Sequence, residues 1–469
     1  MSGFCRLHML PKTGEGKIVE VTGQIVVAEF LNFSPLLWDI LFLKTDKAVK
    51  MEVVSQISGN AVKCVLFSDP CGVKRGDTVV NTGERLNFYA GENLSGRVVD
   101  LFGNPKDGLG PIPKGKGENM PLRNRTPGFY ATKSEGGEFL ETGIKAIDFF
   151  APMTVGGKIG MFGGAGVGKT VVLTELINNL VVKNRGLKKT RCVYCAVGER
   201  LREAQELCFA LDEAGVLNNV AVILGQMGEN PVIRSYTPNA ALALVEYYRD
   251  VSKNNVMFFM DNAYRFAQAG QEISGIKGDF PSEEGYQPNL TSSMAEFHER
   301  LVSGMLNAVT SVEAVYVPSD DVYDFGVREL FPYMDAFIVL SRDEYQKGRM
   351  PALDPLRSAS NALKEGIVTK HHLNALNEAR RVIKKAETLE RVVSLIGPSE
   401  LSLEDQKIYK RAQHIKNYMT QPFFTVEGQT GRKGTFVPCA NTVEDVMGIV
   451  EGKWDGEEPE KFLYIGKIS

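Results

Sequence analysis

The pattern of apolar positions changes character twice along the chain. From about Gly16 to Leu86, short Val/Ile-rich pieces such as Ile18-Val19-Glu20-Val21-Thr22-Gly23-Gln24-Ile25-Val26-Val27 are separated by Gly, Asp and Pro turns. Brief runs of strand formers bounded by turn formers predict a small β-barrel, assigned to residues 1–88. Residues 89–368 carry compact apolar runs at 158–162, 192–197, 221–224, 256–260 and 314–317, with helical or loop segments between them. Continuous apolar runs alternating with longer segments predict a parallel sheet covered by helices. In residues 369–469, Leu373, Leu376, Val382, Ile383, Ala386, Leu389, Val392 and Val393 fall at mixed three- and four-residue spacing, the period of a helix. Gly397-Pro398 breaks that helix, and Ser402 with Asp405 resembles the capping box of a second one. The expected fold class is therefore multi-domain α/β: an N-terminal β-barrel, a central sheet domain and a C-terminal helical domain.

Composition narrows the function. The 469 residues exceed what one core supports, as three domains require. A net charge of −3 without a long basic tract gives no footprint for a nucleic-acid backbone. Seven scattered cysteines, an odd number, argue for reduced thiols and an intracellular setting. Cys192 and Cys195 form a CxxC, but positions three apart on a strand face opposite ways, which argues against a metal site. The five histidines include His371-His372 but no HExxH spacing, so solvated or capping roles are expected. No run approaches the roughly 20 apolar residues of a membrane helix, and the N-terminus lacks an apolar leader, so membrane contact is expected only through partners.

One stretch carries the chemistry. Lys158-Ile159-Gly160-Met161-Phe162 leads into Gly163-Gly164-Ala165-Gly166-Val167-Gly168-Lys169-Thr170, followed by Val171-Val172-Leu173-Thr174. A strand, a loop too rich in glycine to fill with side chains, and a helix opening on Lys-Thr aim backbone N–H groups and a helix N-terminus at one anionic point. Lys169 would reach the terminal phosphates and Thr170 would ligate Mg²⁺. A ligand-free turn would explain isolated glycines, but not the Gly-x4-Gly-Lys-Thr spacing in this context. The run at 256–260 ends in Asp261, where a carboxylate can stand beside the magnesium shell. An aspartate capping the next turn is a common alternative, so Asp261 alone is a weak signal. After the preceding strand, Gly198-Glu199-Arg200-x-Arg202-Glu203 places a carboxylate where a water can be polarised for in-line attack. A plain solvated charge cluster would explain that string in isolation.

Together with these segments, Gly225-Gln226-Met227, Asp261-Asn262-x-x-Arg265-Phe266-x-Gln268-Ala269-Gly270, Gly285-Tyr286-Gln287-Pro288, Tyr316-Val317-Pro318-x-Asp320-Asp321, Asp354-Pro355-Leu356 and Gln421-Pro422-Phe423 closely resemble the catalytic β subunits of F1-type rotary ATPases, in order and spacing, across nearly the whole chain. The resemblance implies a RecA-like P-loop domain that binds ATP/ADP and Mg²⁺. It implies a hetero-hexamer with alpha-type non-catalytic subunits around a gamma-like central shaft, peripheral to the cytoplasmic face of a membrane. It further implies that residues 163–170 with Val171 hold the phosphates, Glu199 activates the water, and Lys169, Arg200 and Arg265 hold the phosphates during reaction. Thr170 would bind magnesium directly, Glu203 and Asp261 through water. The family's non-catalytic subunits carry glutamine at the place of Glu199. The segment 356–361 corresponds to the place where a neighbour presents an arginine finger, and here it ends in Asn361, so that arginine is expected in trans.

The departures are specific. Where the family sandwiches adenine between aromatics, this chain has Met350 and Gln429, with Phe423 kept. Gly278-Asp279-Phe280-Pro281-Ser282-Glu283-Glu284 replaces a basic run expected near the ring axis, and Tyr323-Asp324-Phe325-Gly326-Val327-Arg328-Glu329 replaces a Pro/Ala-rich bearing. An acidic lever reads Ser399-Glu400-Leu401-Ser402-Leu403-Glu404-Asp405. These changes raise the alternative of an F1-like paralogue driving a machine other than a proton channel, in motility or surface-protein processing. A non-catalytic nucleotide-binding subunit is a further alternative. A nucleic-acid translocase is disfavoured, because its central loops would be basic.

Overall fold

The computed structural model describes residues 13–31, 33–57, 59–124, 127–128, 137–182, 190–321, 323–397 and 400–468. Six strands, Gly14–Thr22, Ile25–Phe30, Asp39–Leu43, Lys50–Gln56, Ala61–Leu66 and Thr78–Arg85, close into a barrel. The apolar run at 18–27 is thus two strands, paired antiparallel around Gly23. Ile18, Val26, Ala28, Leu41, Met51, Val53, Val62, Leu66 and Val79 fill the interior, and closure leaves no strand edge unpaired. Glu52 leaves the barrel to meet the Tyr236 hydroxyl and Arg123, and burial raises its carboxyl above the usual range.

The central domain is built on an eight-stranded sheet. Its order is Ala359–Ser360, Ala336–Val339, Lys158–Gly163, Val309–Tyr316, Asn255–Asp261, Thr190–Glu199, Val220–Gln226 and Val98–Val99. All neighbours run parallel except the first pair. Helices Lys169–Ile177, Leu201–Glu213, Pro231–Glu246 and Ala263–Lys277 accompany it, so the inner strands are buried on both faces and read as continuous apolar runs. Ala336–Val339 and the two-residue edge strands are additions to the elements expected from sequence; runs this short carry little periodic signal.

The C-terminal part contains Lys370–Ile396, Leu403–Tyr418 and Cys439–Glu451. Ala375, Leu376, Ala379, Val382, Ile383 and Ala386 form the buried stripe of the first helix, whereas Val392 and Leu395 are 39% and 79% exposed. The stripe predicted to reach Val393 is therefore fully buried only as far as Ala386, with Leu389 and Val393 half-buried and Val392 turned to solvent. Gly397 ends it in an extended-like backbone at positive φ; Pro398 and Ser399 lie outside the described residues. Ser402 caps the next helix as expected, its Oγ accepting from Asp405 N and donating to Asp405 Oδ2.

The histidines depart from the expectation of solvated roles. His298, His372 and His414 are buried and stacked on Tyr333, Phe149 and Phe462. His298 pairs its ring nitrogens with Met294 O and Glu313, Nε2 of His372 and of His414 meets the carbonyls of Phe149 and Glu457, and burial lowers the pKa of His372 and His414. These are packing residues, because a flat ring with two hydrogen-bonding nitrogens can be fully satisfied inside a core. His371 alone of the adjacent pair is exposed.

Candidate nucleotide site

The site lies at the carboxyl edge of the parallel sheet, where Thr190–Glu199 and its neighbour Asn255–Asp261 end, with Val309–Tyr316 between them and Lys158–Gly163. Strand Lys158–Gly163 passes through the loop into helix Lys169–Ile177, whose N-cap is Gly168. Gly168 sits at φ 88°, a left-handed backbone that disfavours any side chain, and a Cβ there would lie 2.5 Å from Met350 Cε. No side chain caps the helix, so its first N–H groups face the concave side of the loop, the electropositive end of the helix dipole. Ala165 and Gly166 form the rim, while Val167 is buried beneath. Val171 is half-buried in the first turn.

Lys169 is curled back into the loop. Its Nζ donates to Gly163 O at 2.9 Å and Gly164 O at 2.6 Å, and lies 5.9 Å from the centre of the Tyr316 ring. Burial lowers its pKa, opposed by the nearby charges of Asp261, Glu199 and Asp320. Thr170 Oγ1 stands 3.5 Å from Asp261 Oδ2, and the Tyr194 hydroxyl donates to that same oxygen at 3.2 Å. Asp261 is buried, which raises its carboxyl pKa against the lowering effect of Lys169. A hydroxyl and a carboxylate side by side under a glycine cradle form the hard-oxygen donor set that suits Mg²⁺ with a phosphate chain. The donors therefore fit that metal.

Glu199 ends its strand just after a register shift at Gly198, whose φ of 67° turns the chain. A Cβ on Gly198 would lie 2.9 Å from Arg265 Cβ, so the Arg265 side chain crosses directly over the glycine. Burial pushes the Glu199 carboxyl well up, aided by a hydrogen bond with Glu203 and by the charge of Asp261. The bond from Glu199 holds Glu203 below the usual range. Of the two, Glu199 holds its proton to the higher pH, because two adjacent carboxylates near a third cannot all ionise cheaply. Arg200 points to solvent, its side chain 71% exposed and 3.9 Å from Glu203. Arg265 Nη1 donates to Gln268 Oε1 at 2.9 Å, and the guanidinium lies 5.7 Å from the Tyr316 ring centre.

Met350 and Phe423 come from separate segments. Gln421 N donates to Met350 O at 2.9 Å, and Phe423 is 2% exposed. Thr425 donates through N and Oγ1 to Glu175 Oε2, both at 3.1 Å, tying the Phe423 segment to the phosphate-loop helix. Gln429 is exposed. Sequence reasoning singled out neither Tyr194 nor Arg342. Tyr194 is an apolar-run residue whose partner lies on another strand, and Arg342 meets Asp320 at 3.3 Å beside Gly164. A cavity of about 440 Å³ elsewhere, between barrel and sheet domain, is lined by Trp38, Arg123, Tyr236, Lys277 and Gln287. It has no phosphate-binding loop, so the chemistry and not the cavity size locates the site.

Comparison with protein families agrees with this geometry. The model of the ATP synthase alpha/beta family, nucleotide-binding domain, matches residues 143–360, and that of the family's beta-barrel domain matches residues 18–83. The chain carries the domains of the ATP synthase alpha/beta family. Residues 361–455 match the C-terminal domain of V and A type ATP synthase, a departure from the purely F1-type resemblance. As a protein with ATP synthase alpha/beta domains, the chain is a nucleotide-binding subunit of an oligomeric F1-like rotary ATPase with partner subunits.

Proposed function

We propose that this chain is the catalytic, beta-type subunit of its ring, and that Glu199 is the group that activates water for attack on the γ-phosphorus of ATP. The observation that carries the reading is the Glu199 carboxyl beside Asp261 and Lys169 at the sheet edge. Lys169 exchanges the Gly163 and Gly164 carbonyls for phosphate oxygens, a charge-assisted contact stronger than the neutral one it leaves. Thr170 would hold Mg²⁺ directly, and Asp261 and Glu203 would hold it through water. When bound, that ion neutralises charge on the β- and γ-oxygens. Glu199 must lose its proton to solvent before it can take one from water, and cationic charge around the phosphates favours that ionised form. Arg265 and Arg200 supply part of that charge on the phosphates, and an arginine from an alpha-type neighbour supplies the rest. Met350 and Phe423 flank the base. The ring encloses a gamma-like shaft and is peripheral to the cytoplasmic face of a membrane, which it contacts only through partners.

The test is hydrolysis by the reconstituted ring with Glu199→Gln. Loss of a general base predicts a fall of about 10²- to 10⁴-fold with nucleotide binding kept. Equal turnover would mean a non-catalytic nucleotide-binding subunit, or a different base.

A second reading, a paralogue ring turning a shaft that serves no proton channel, is favoured by one observation. Phe280 and Tyr323 are 93% and 77% exposed among Asp279, Glu284, Asp321 and Asp324, on loops where a shaft would run. Stoichiometric co-purification of proton-channel subunits with the native complex would exclude it.

A further inference from the structure

We propose that Tyr194 is a positioning residue that orients the Asp261 carboxylate toward the magnesium shell; this rests on the nucleotide-site reading above. Tyr194 lies in strand Thr190–Glu199, in register with Phe259 of strand Asn255–Asp261, and the two rings are stacked with centroids 6.5 Å apart and planes 13° apart. The ring therefore lies beside the neighbouring strand, and its hydroxyl reaches Asp261, two residues further along. Tyr194 is 1% exposed, and no alternative solvent partner competes for its O–H.

Among the described residues, both hydrogen bonds to the Asp261 carboxylate, from the Tyr194 hydroxyl at 3.2 Å and from Thr170 Oγ1 at 3.5 Å, fall on Oδ2. One oxygen is thereby pinned from two sides, by a group on the adjacent strand and by a group on the phosphate-loop helix. The carboxylate plane cannot turn without breaking the phenol bond inside the core, where an unpaired hydroxyl is costly. Thr170 is the weaker of the two restraints at 3.5 Å, and in the proposed reading its oxygen is engaged by Mg²⁺. The phenol is then the remaining donor on Oδ2, and it holds Asp261 in place whether or not the metal is bound. A partner of this kind, one shell out from the ion, typically changes metal affinity or activity about 10- to 100-fold when removed.

Phenylalanine fills the same space, so Tyr194→Phe removes the O–H and little else. The experiment titrates Mn²⁺ into the assembled ring with ADP present and reads bound ion by electron paramagnetic resonance; ADP binding in excess chelator is measured beside it. The expected result is Mn²⁺ affinity weakened about tenfold or more with metal-free ADP affinity unchanged. Phe259→Leu, which disturbs the stacked ring but keeps the hydroxyl, should leave Mn²⁺ affinity near the unsubstituted value. Unchanged Mn²⁺ binding in Tyr194→Phe, or an equal loss in Phe259→Leu, overturns the proposal. Asp261→Asn separates this outcome from failure of the site itself. If it abolishes Mn²⁺ binding while Tyr194→Phe does not, only the positioning role falls; if neither changes it, the metal site is elsewhere.

Discussion

The two ends of the candidate site are built differently. At the phosphate end, adjacent strand termini and one loop supply Lys169, Thr170, Asp261 and Glu199, all polar and mutually constrained. At the proposed base end, Met350 and Phe423 are apolar and arrive from segments more than seventy positions apart, joined to the rest by Gln421 and by the Thr425–Glu175 bonds. Charges at strand ends cannot be moved without leaving a buried carboxylate or ammonium unpaired. Apolar contacts to a flat ring are non-directional and tolerate exchange. Reaction type is thus the rigid property of this fold, and base preference the adjustable one.

The sharpest break of that contrast is Lys169→Ala. It should reduce ring ATPase by about 10³-fold, on the scale of losing a preorganised electrostatic contact to the reacting phosphate, read as steady-state phosphate release. A surviving rate within a few-fold of the parent would show that the phosphate end is not the rigid one. Next is Glu175→Ala, which removes a buried carboxylate and leaves the half-buried Thr425 N–H and hydroxyl without their acceptor. A loss of about 2–3 kcal/mol in urea-unfolding stability is expected, together with weaker base binding from the released Phe423 segment. A smaller change is expected of Met350→Tyr: an added aromatic face contributes about 1 kcal/mol, so ATP should gain several-fold over a base-free triphosphate in competition binding, with the maximal rate little altered.

The smallest effect is one of pH. The folded chain holds the Glu199 proton to higher pH than the unfolded chain does. Between the two values the folded form binds more protons, so stability falls as pH rises from the ordinary carboxylate range through the raised one. Thermal melting of the nucleotide-free protein should drift down over that window, and Glu199→Gln should flatten the drift. A parallel drift in both would place the titrating group elsewhere.

Chain order and local chemistry were enough to read the three-part architecture, because strand and helix periods, turn formers and the Gly-x4-Gly-Lys-Thr run are short-range signals. The capping of the second C-terminal helix by Ser402 was legible for the same reason, as a contact over three residues. The early end of the apolar stripe beyond Ala386 was not, since periodicity records which face is apolar and not whether another element covers it. Burial of His298, His372 and His414 likewise depended on stacking rings remote in sequence, those of Tyr333, Phe149 and Phe462. In the site, Glu199, Lys169, Thr170 and Asp261 could be named from their local strings. That Glu199 meets Glu203 and that Lys169 folds onto its own loop are contacts over four to six residues, set by how the strand ends turn, whereas Tyr194 pinning Asp261 is a result of strand order and register. Register places Tyr194 and Asp261, tens of positions apart, within hydrogen-bonding distance, and no local pattern encodes a distance across a sheet.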